Sequence, residues 1–275
     1  MKKVIVITGI GGIGLAITRR IGAGFRLLLC DFNKANLDKA AEELSVAGYD
    51  VTTAQIDVSD QQSVENVAKQ ASEAGEIYAV VHTAGLSPNT ASAEQIIDVN
   101  LIGTARILEA FEPYLSVGTC GVFISSSSAY LGRELTPEQI RTVTAFSAKE
   151  LKDYVPALEI KDANDAYVIS KRLNQFQVAV AAIRWGKKNA RVMSVSPGVI
   201  STPMGIKERQ SSSTIDYMLA NSPVQRIGIP EDIAGVLEFI LSPAGSFLSG
   251  TDILVDGGVV AFLKNGTIDK SHFQI

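Results

Sequence analysis

Val4-Ile5-Val6-Ile7-Thr8-Gly9-Ile10-Gly11-Gly12-Ile13-Gly14 decides how the rest of the chain is read. An apolar run of strand length enters a glycine-rich turn, and an apolar helical pattern follows at about 15–21. Continuous apolarity, as opposed to alternation, marks a strand covered on both faces, as in parallel sheets. A glycine turn between such a strand and a helix lets backbone N–H groups and the positive helix end meet a pyrophosphate, because no Cβ blocks the approach. A tight βα connection is the plainer explanation of the same residues. Their place as the first turn of a βαβ unit favours the nucleotide reading and makes Gly9, Gly12, Ile13 and Gly14 candidates for holding it.

Working outward, apolar runs recur at 26–31, 50–56, 77–83, 120–126, 190–196 and 252–256, with helical stretches between them. This alternation predicts an α/β protein with one doubly wound, Rossmann-like parallel sheet of about seven strands. No internal repeat, low-complexity tract or linker interrupts the 275 residues. Residues 1–275 are therefore read as a single nucleotide-binding domain, since α/β units commonly reach about 250 residues.

Apolar residues make up 46% of the chain, enough for a sizeable core. A formal net charge of -4 without a basic block gives no footprint for nucleic acid. The apolar run after Met1-Lys2-Lys3 is too short for a signal core and reads as a strand. No segment approaches the roughly 18 apolar residues of a membrane span. Cys30 and Cys120 sit at the ends of strand patterns and read as buried thiols of a reducing, cytoplasmic compartment.

The second strand ends on Asp31, 17 residues after Gly14. A carboxylate there accepts hydrogen bonds from the adenosine ribose hydroxyls and repels a 2′-phosphate, which favours NAD over NADP. It also suits the N-cap of the next helix. Arg19, Arg20 and Arg26 are the cations that could reach a phosphate instead.

Downstream, Tyr167 and Lys171 stand four residues apart at the start of a long apolar helix, hence on one face. A free phenol titrates near 10, and a neighbouring ammonium or oxidised nicotinamide stabilises its phenolate. Tyr167 is therefore a candidate general acid or base at a substrate oxygen.

Strand, glycine turn, acid and Tyr-x-x-x-Lys together resemble the short-chain dehydrogenase/reductase family, in its compact single-domain branch, over about residues 3–258. Ile56-Asp57-Val58, His82-Thr83-Ala84-Gly85, Val99-Asn100-Leu101, Ile124-Ser125-Ser126, Ser196-Pro197-Gly198-Val199 and Asp256-Gly257-Gly258 follow in family order. Two departures stand out. The turn from Thr8 to Gly14 is a residue shorter than the family's T-G-x-x-x-G-x-G, which predicts a tighter loop. Thr83 replaces the asparagine of N-A-G, and His82 reads as a structural histidine.

The resemblance implies hydride transfer between NAD and a secondary alcohol or ketone. It places Asp57 and Val58 against the adenine, and Ala84 and Gly85 along the cofactor. Lys171 would hold the nicotinamide ribose, and Pro197, Gly198, Val199 and Thr202 would receive the carboxamide end. It makes Ser126 the substrate-orienting hydroxyl, with Ser127 and Ser128 as alternatives. It also gives Asn100 an amide that holds a water linking the lysine to solvent. A non-catalytic NAD/NADH sensor is the alternative. An epimerase or dehydratase of the longer branch would need a substantial substrate domain after Gly258.

Ser126 and Tyr167 lie 41 residues apart, where compact members have about a third of that. The extra stretch, about 133–163, carries helix-start signals at Thr136-Pro137-Glu138 and Ser147-Ala148-Lys149-Glu150. Two short helices there could roof the substrate pocket, cover a subunit contact or be a solvated decoration. The helix 167–186 is apolar beyond one stripe, which suits either a homodimer or homotetramer contact or burial by the insertion. The tail at 259–275, with Phe273 and Ile275 at its end, is a second candidate contact. The segment from Thr202 to Arg226 reads as a substrate lid.

Overall fold

A computed structural model describes residues 2–210 and 213–268, without the side chains of Glu208, Gln210 and Ser213. Ser211, Ser212 and the end of the expected tail, including Phe273 and Ile275, lie outside the described residues. In chain order the elements are β1 (Val4–Thr8), α1 (Gly12–Ile21), β2 (Arg26–Asp31), α2 (Lys34–Val46), β3 (Asp50–Gln55), α3 (Gln61–Ala74), β4 (Ile77–His82), α4 (Ala93–Ile96) and α5 (Gly103–Phe111). They continue as β5 (Cys120–Ile124), α6 (Pro137–Ala145), α7 (Ala148–Tyr154), α8 (Ala163–Gly186), β6 (Arg191–Pro197), α9 (Pro203–Gln210), α10 (Ser213–Asn221), α11 (Pro230–Leu241), β7 (Asp252–Val255) and α12 (Val259–Asn265).

All seven strands pair in parallel in the order β3-β2-β1-β4-β5-β6-β7. Side chains alternate across β1: Ile5 and Ile7 join a core with α1, α2 and α11, whereas Val4 and Val6 face α3, α5 and α8. Both faces are thus covered, which is why the strands read as unbroken apolar runs. The two edge strands are the exceptions: β3, with Asp50-Val51-Thr52-Thr53-Ala54-Gln55, and β7 both stay partly open to solvent. Strand order reverses between β1 and β4, and the carboxyl ends of these strands flank the crevice where ligands of such sheets bind.

A third core seals the expected insertion onto the body. Leu135, Val143, Ala148, Leu151 and Leu158 pack with Ile97 and Leu101 before α5, and with Ile169 and Leu173 of α8. Thr136 and Ser147 form reciprocal capping boxes with Gln139 and Glu150, so both helices start where the sequence signals them. The side of α8 that carries Ile169 and Leu173 is consequently buried within the chain, whereas Ile183 near its end is 68% exposed. α8 also begins at Ala163, capped by Asp162, so Tyr167 sits in its second turn and not at its start.

Candidate active site

A cavity of about 800 Å³ opens at the carboxyl ends of β1, β2, β4 and β5. Its floor is the glycine turn. Gly9 has φ of 91°, and a Cβ there would lie 2.5 Å from the Ala84 nitrogen. A Cβ on Gly14 would meet the Gly9 carbonyl oxygen at 2.0 Å. Both positions require glycine for α1 to pack against β1 and β4. Gly11 is different, with nothing within 4 Å of where its Cβ would stand. It is the N-cap of α1 and supplies no capping side chain, and residues 11–14 line the cavity. The first-turn N–H donors are left for an anionic ligand.

Two side chains fasten this shortened turn. Asp31 Oδ2 accepts the Ile10 N–H at 2.6 Å, and its Oδ1 accepts the Asn33 N–H at 2.8 Å. Asn33, not Asp31, caps α2. Thr83, standing where the family has asparagine, donates its hydroxyl to the Gly9 carbonyl at 2.6 Å. His82 shares a 2.6 Å hydrogen bond with the Thr8 hydroxyl. Burial, with the charge of Lys171 second, pushes the His82 imidazole down to about 3, so it is neutral and structural.

At the other end of the cavity the strand β5 hands over to α8. Ser125 is buried and donates to the Lys171 carbonyl at 2.8 Å, which ties helix to strand. Ser126 lines the cavity, and its Oγ accepts from the Ser128 N–H at 3.2 Å and the Ser128 hydroxyl at 2.9 Å. Lys171, only 6% exposed, donates to the Ile124 carbonyl at 2.9 Å, and its ammonium lies 5.9 Å from the centre of the Tyr167 ring. Burial lowers the lysine to about 8.

Fifteen of the expected residues, namely Gly9, Gly12, Ile13, Gly14, Asp31, Asp57, Val58, Ala84, Gly85, Ser126, Tyr167, Lys171, Pro197, Gly198 and Thr202, line this one cavity. Asn100 and Val199 do not. The Val199 carbonyl accepts the Gly228 N–H, and Ile200 takes its place on the wall. Asn100 lies behind Gly85 in a six-residue π-helical stretch, Ile97–Ile102, that joins α4 to α5. Both ends of its amide are engaged by Leu86, accepting its N–H at 2.8 Å and donating to its carbonyl at 3.0 Å. The amide thus holds the loop after β4.

The wall also includes residues that the motifs passed over, among them Phe32, Leu86, Gln95 and Met204. Phe32 is 68% exposed directly after Asp31, and a large apolar side chain at a strand end was a readable signal. Arg106, nearly buried, braces the Val58 side of the cavity by donating to the Val58 carbonyl and the Asp98 carboxylate. No described residue of 133–163 reaches the wall, so the insertion does not roof the pocket. Cys30 and Cys120 are free and buried. Among the described residues no helix is long and apolar enough to cross a membrane, and no group of three or more His, Cys, Asp or Glu could hold a metal ion.

Comparison with known proteins gives the same picture. Residues 2–138 match the family described as short chain dehydrogenase, and residues 153–260 that described as enoyl-(acyl carrier protein) reductase. The unmatched residues between them, 139–152, run from within α6 to within α7. Short-chain dehydrogenase/reductase bsc3 of Alternaria brassicicola is 37% identical over 97% of this chain and 98% of its own. The 3-alpha-hydroxysteroid dehydrogenase/carbonyl reductase of Comamonas testosteroni is 29% identical, covering 95% and 98%. Among solved structures, a short-chain dehydrogenase/reductase of Brucella melitensis, titled glucose/ribitol dehydrogenase, superposes with a TM-score of 0.75 at 28% identity, covering 94% and 96%.

Proposed function

The chain belongs to the short-chain dehydrogenase/reductase family, oxidoreductases that act on alcohols and carbonyls with NAD(P), and from that premise we propose that it interconverts a secondary alcohol and a ketone with NAD(H). The observation that carries this reading is the convergence of Ser126, Tyr167, Lys171, the uncapped start of α1 and Asp31 on one cavity. In it the whole chain acts as one dinucleotide-binding unit.

The residues present fit a dinucleotide. Free N–H donors at residues 11–14 suit a pyrophosphate, and the open space at Gly11 lets one approach. Asp31, Asp57 and Val58 would receive the adenosine, and Pro197, Gly198 and Thr202 the nicotinamide end. NAD is favoured over NADP because Asp31 would repel a 2′-phosphate and the candidate arginines are engaged elsewhere. Arg19 pairs with Glu43, Arg20 with Glu238, and Arg26 with the Ala74 carbonyl and Asp50. When bound, the nicotinamide gives or takes the hydride.

The chain's own work is proton transfer and positioning. Tyr167 donates its phenolic proton to the carbonyl oxygen as a ketone is reduced, and recovers it from the carbinol in the reverse direction. The Lys171 ammonium stabilises the negative charge left on the phenolic oxygen. Ser126 donates a hydrogen bond to the same substrate oxygen, its own oxygen being held by Ser128. Asn100 positions Gly85 and Leu86 behind the lysine.

Loss of absorbance at 340 nm with NADH and a panel of ketones tests the reading. Turnover should fall at least 100-fold in Tyr167→Phe with NADH affinity retained. NADH binding without turnover of any ketone would overturn it in favour of a sensor.

A further inference from the structure

We infer that this site takes an uncharged, mostly hydrocarbon alcohol or ketone and rejects substrates bearing a carboxylate or phosphate. The inference rests on the hydride-transfer reading above and names its substrate class. Among the described residues lining the cavity, Lys171 is the sole cation, against the carboxylates of Asp31, Asp57 and Asp98. That ammonium is committed, since it is buried, bonded to the Ile124 carbonyl and set beside Tyr167.

Cations of the segment beyond Thr202 are not available either. Arg209 bonds Asp216 at 2.6 Å, and Arg226 grips both oxygens of Asp232 at 2.7 and 2.8 Å. Lys207 points to solvent and does not line the cavity. The N–H donors of α1 are the remaining anion site, and the dinucleotide pyrophosphate would occupy them. The wall left over includes Leu86, Thr90, Ala91, Gln95 and Met204, which offer methyl and methylene groups, one hydroxyl and one amide. An anion entering there would lose its hydration without gaining a partner. A neutral hydrocarbon loses nothing comparable and gains by burial.

Ester and free-acid pairs that differ only in charge test this: ethyl acetoacetate against acetoacetate, and the methyl ester of a 3-oxo steroid acid against the acid. Both pairs are assayed for NADH oxidation and, separately, for binding to the protein–NADH complex by quenching of NADH fluorescence. We expect each ester that is turned over to exceed its acid at least 100-fold in kcat/KM, and each ester to bind at least tenfold tighter. An acid equal to or better than its ester in both pairs overturns the inference. Absence of turnover with all four counts against hydride transfer alone, and the binding order still decides the question of charge. As a converse, Met204→Arg, at a position 38% exposed and so tolerant of change, should raise kcat/KM for the acids at least tenfold. No gain from that variant would also count against the inference.

Discussion

The carboxylate of Asp31 holds the backbone N–H of Ile10 at 2.6 Å, so the acid that ends β2 and the glycine turn that ends β1 form one unit. A turn one residue shorter than the family's usual pattern is thereby fixed from the side where the adenosine ribose would bind.

Replacing Asp31 should therefore do two things at once. In Asp31→Ser, NADH should bind at least tenfold more weakly and the preference for NADH over NADPH should narrow by a similar factor, because the repelling charge is gone. Titration of both nucleotides by fluorescence measures this. An unchanged ratio would show that Asp31 serves the turn alone.

The glycines of the turn separate folding from binding. Gly14→Ala drives a methyl group into the Gly9 carbonyl, so the variant should lose several kcal/mol of stability or fail to fold. Gly11→Ala meets no protein atom, so its melting temperature should stay within about 2 °C of the parent while NADH affinity drops tenfold or more. Thermal melts with and without NADH distinguish the two.

The serines after β5 should rank by their contacts. Ser126→Ala removes the proposed donor to the substrate and should lower kcat about 100-fold. Ser128→Ala leaves Ser126 in place but frees its oxygen, and should cost about threefold to tenfold in kcat with little change in KM. Ser125→Ala should act on stability, since its hydroxyl bonds only the Lys171 carbonyl among the contacts described. Steady-state kinetics with chemical denaturation resolve the three.

Two buried groups give opposite ends of the pH profile the same sign. His82 stays neutral in the fold down to about 3, whereas the unfolded chain takes up a proton near 6.5. Stability should thus be lost as pH falls through that window, by up to about 1.4 kcal/mol per unit, and His82→Asn should flatten the slope. Lys171 loses its proton near 8 when folded and 10.5 when unfolded, so stability should rise with pH across that interval. Lys171→Met should abolish the rise. Denaturant midpoints at half-unit pH steps check both.

The seven strands were legible because nearly all lie inside the sheet, and burial on both faces leaves an unbroken apolar run. The cavity wall was legible where backbone geometry demands a residue type, as at Gly9, Gly14 and Asp31. The π-helical turn at Asn100 was not, since apolar residues crowd both sides of it and the sequence reads as one helix through it. The helices at 133–163 were legible from Thr136 and Ser147, but their destination was not. Caps specify where a helix starts, and only the shape of the accepting surface specifies where it docks.

That destination makes α6 and α7 a backing for part of the pocket. Their side chains pack in one cluster with Ile169 and Leu173 of α8 and with Leu86, Ala91 and Tyr167, three residues of the cavity wall. Anyone seeking to redirect this protein to a new substrate should therefore treat the loop from Leu86 to Gln95 and the added helices behind it as one unit.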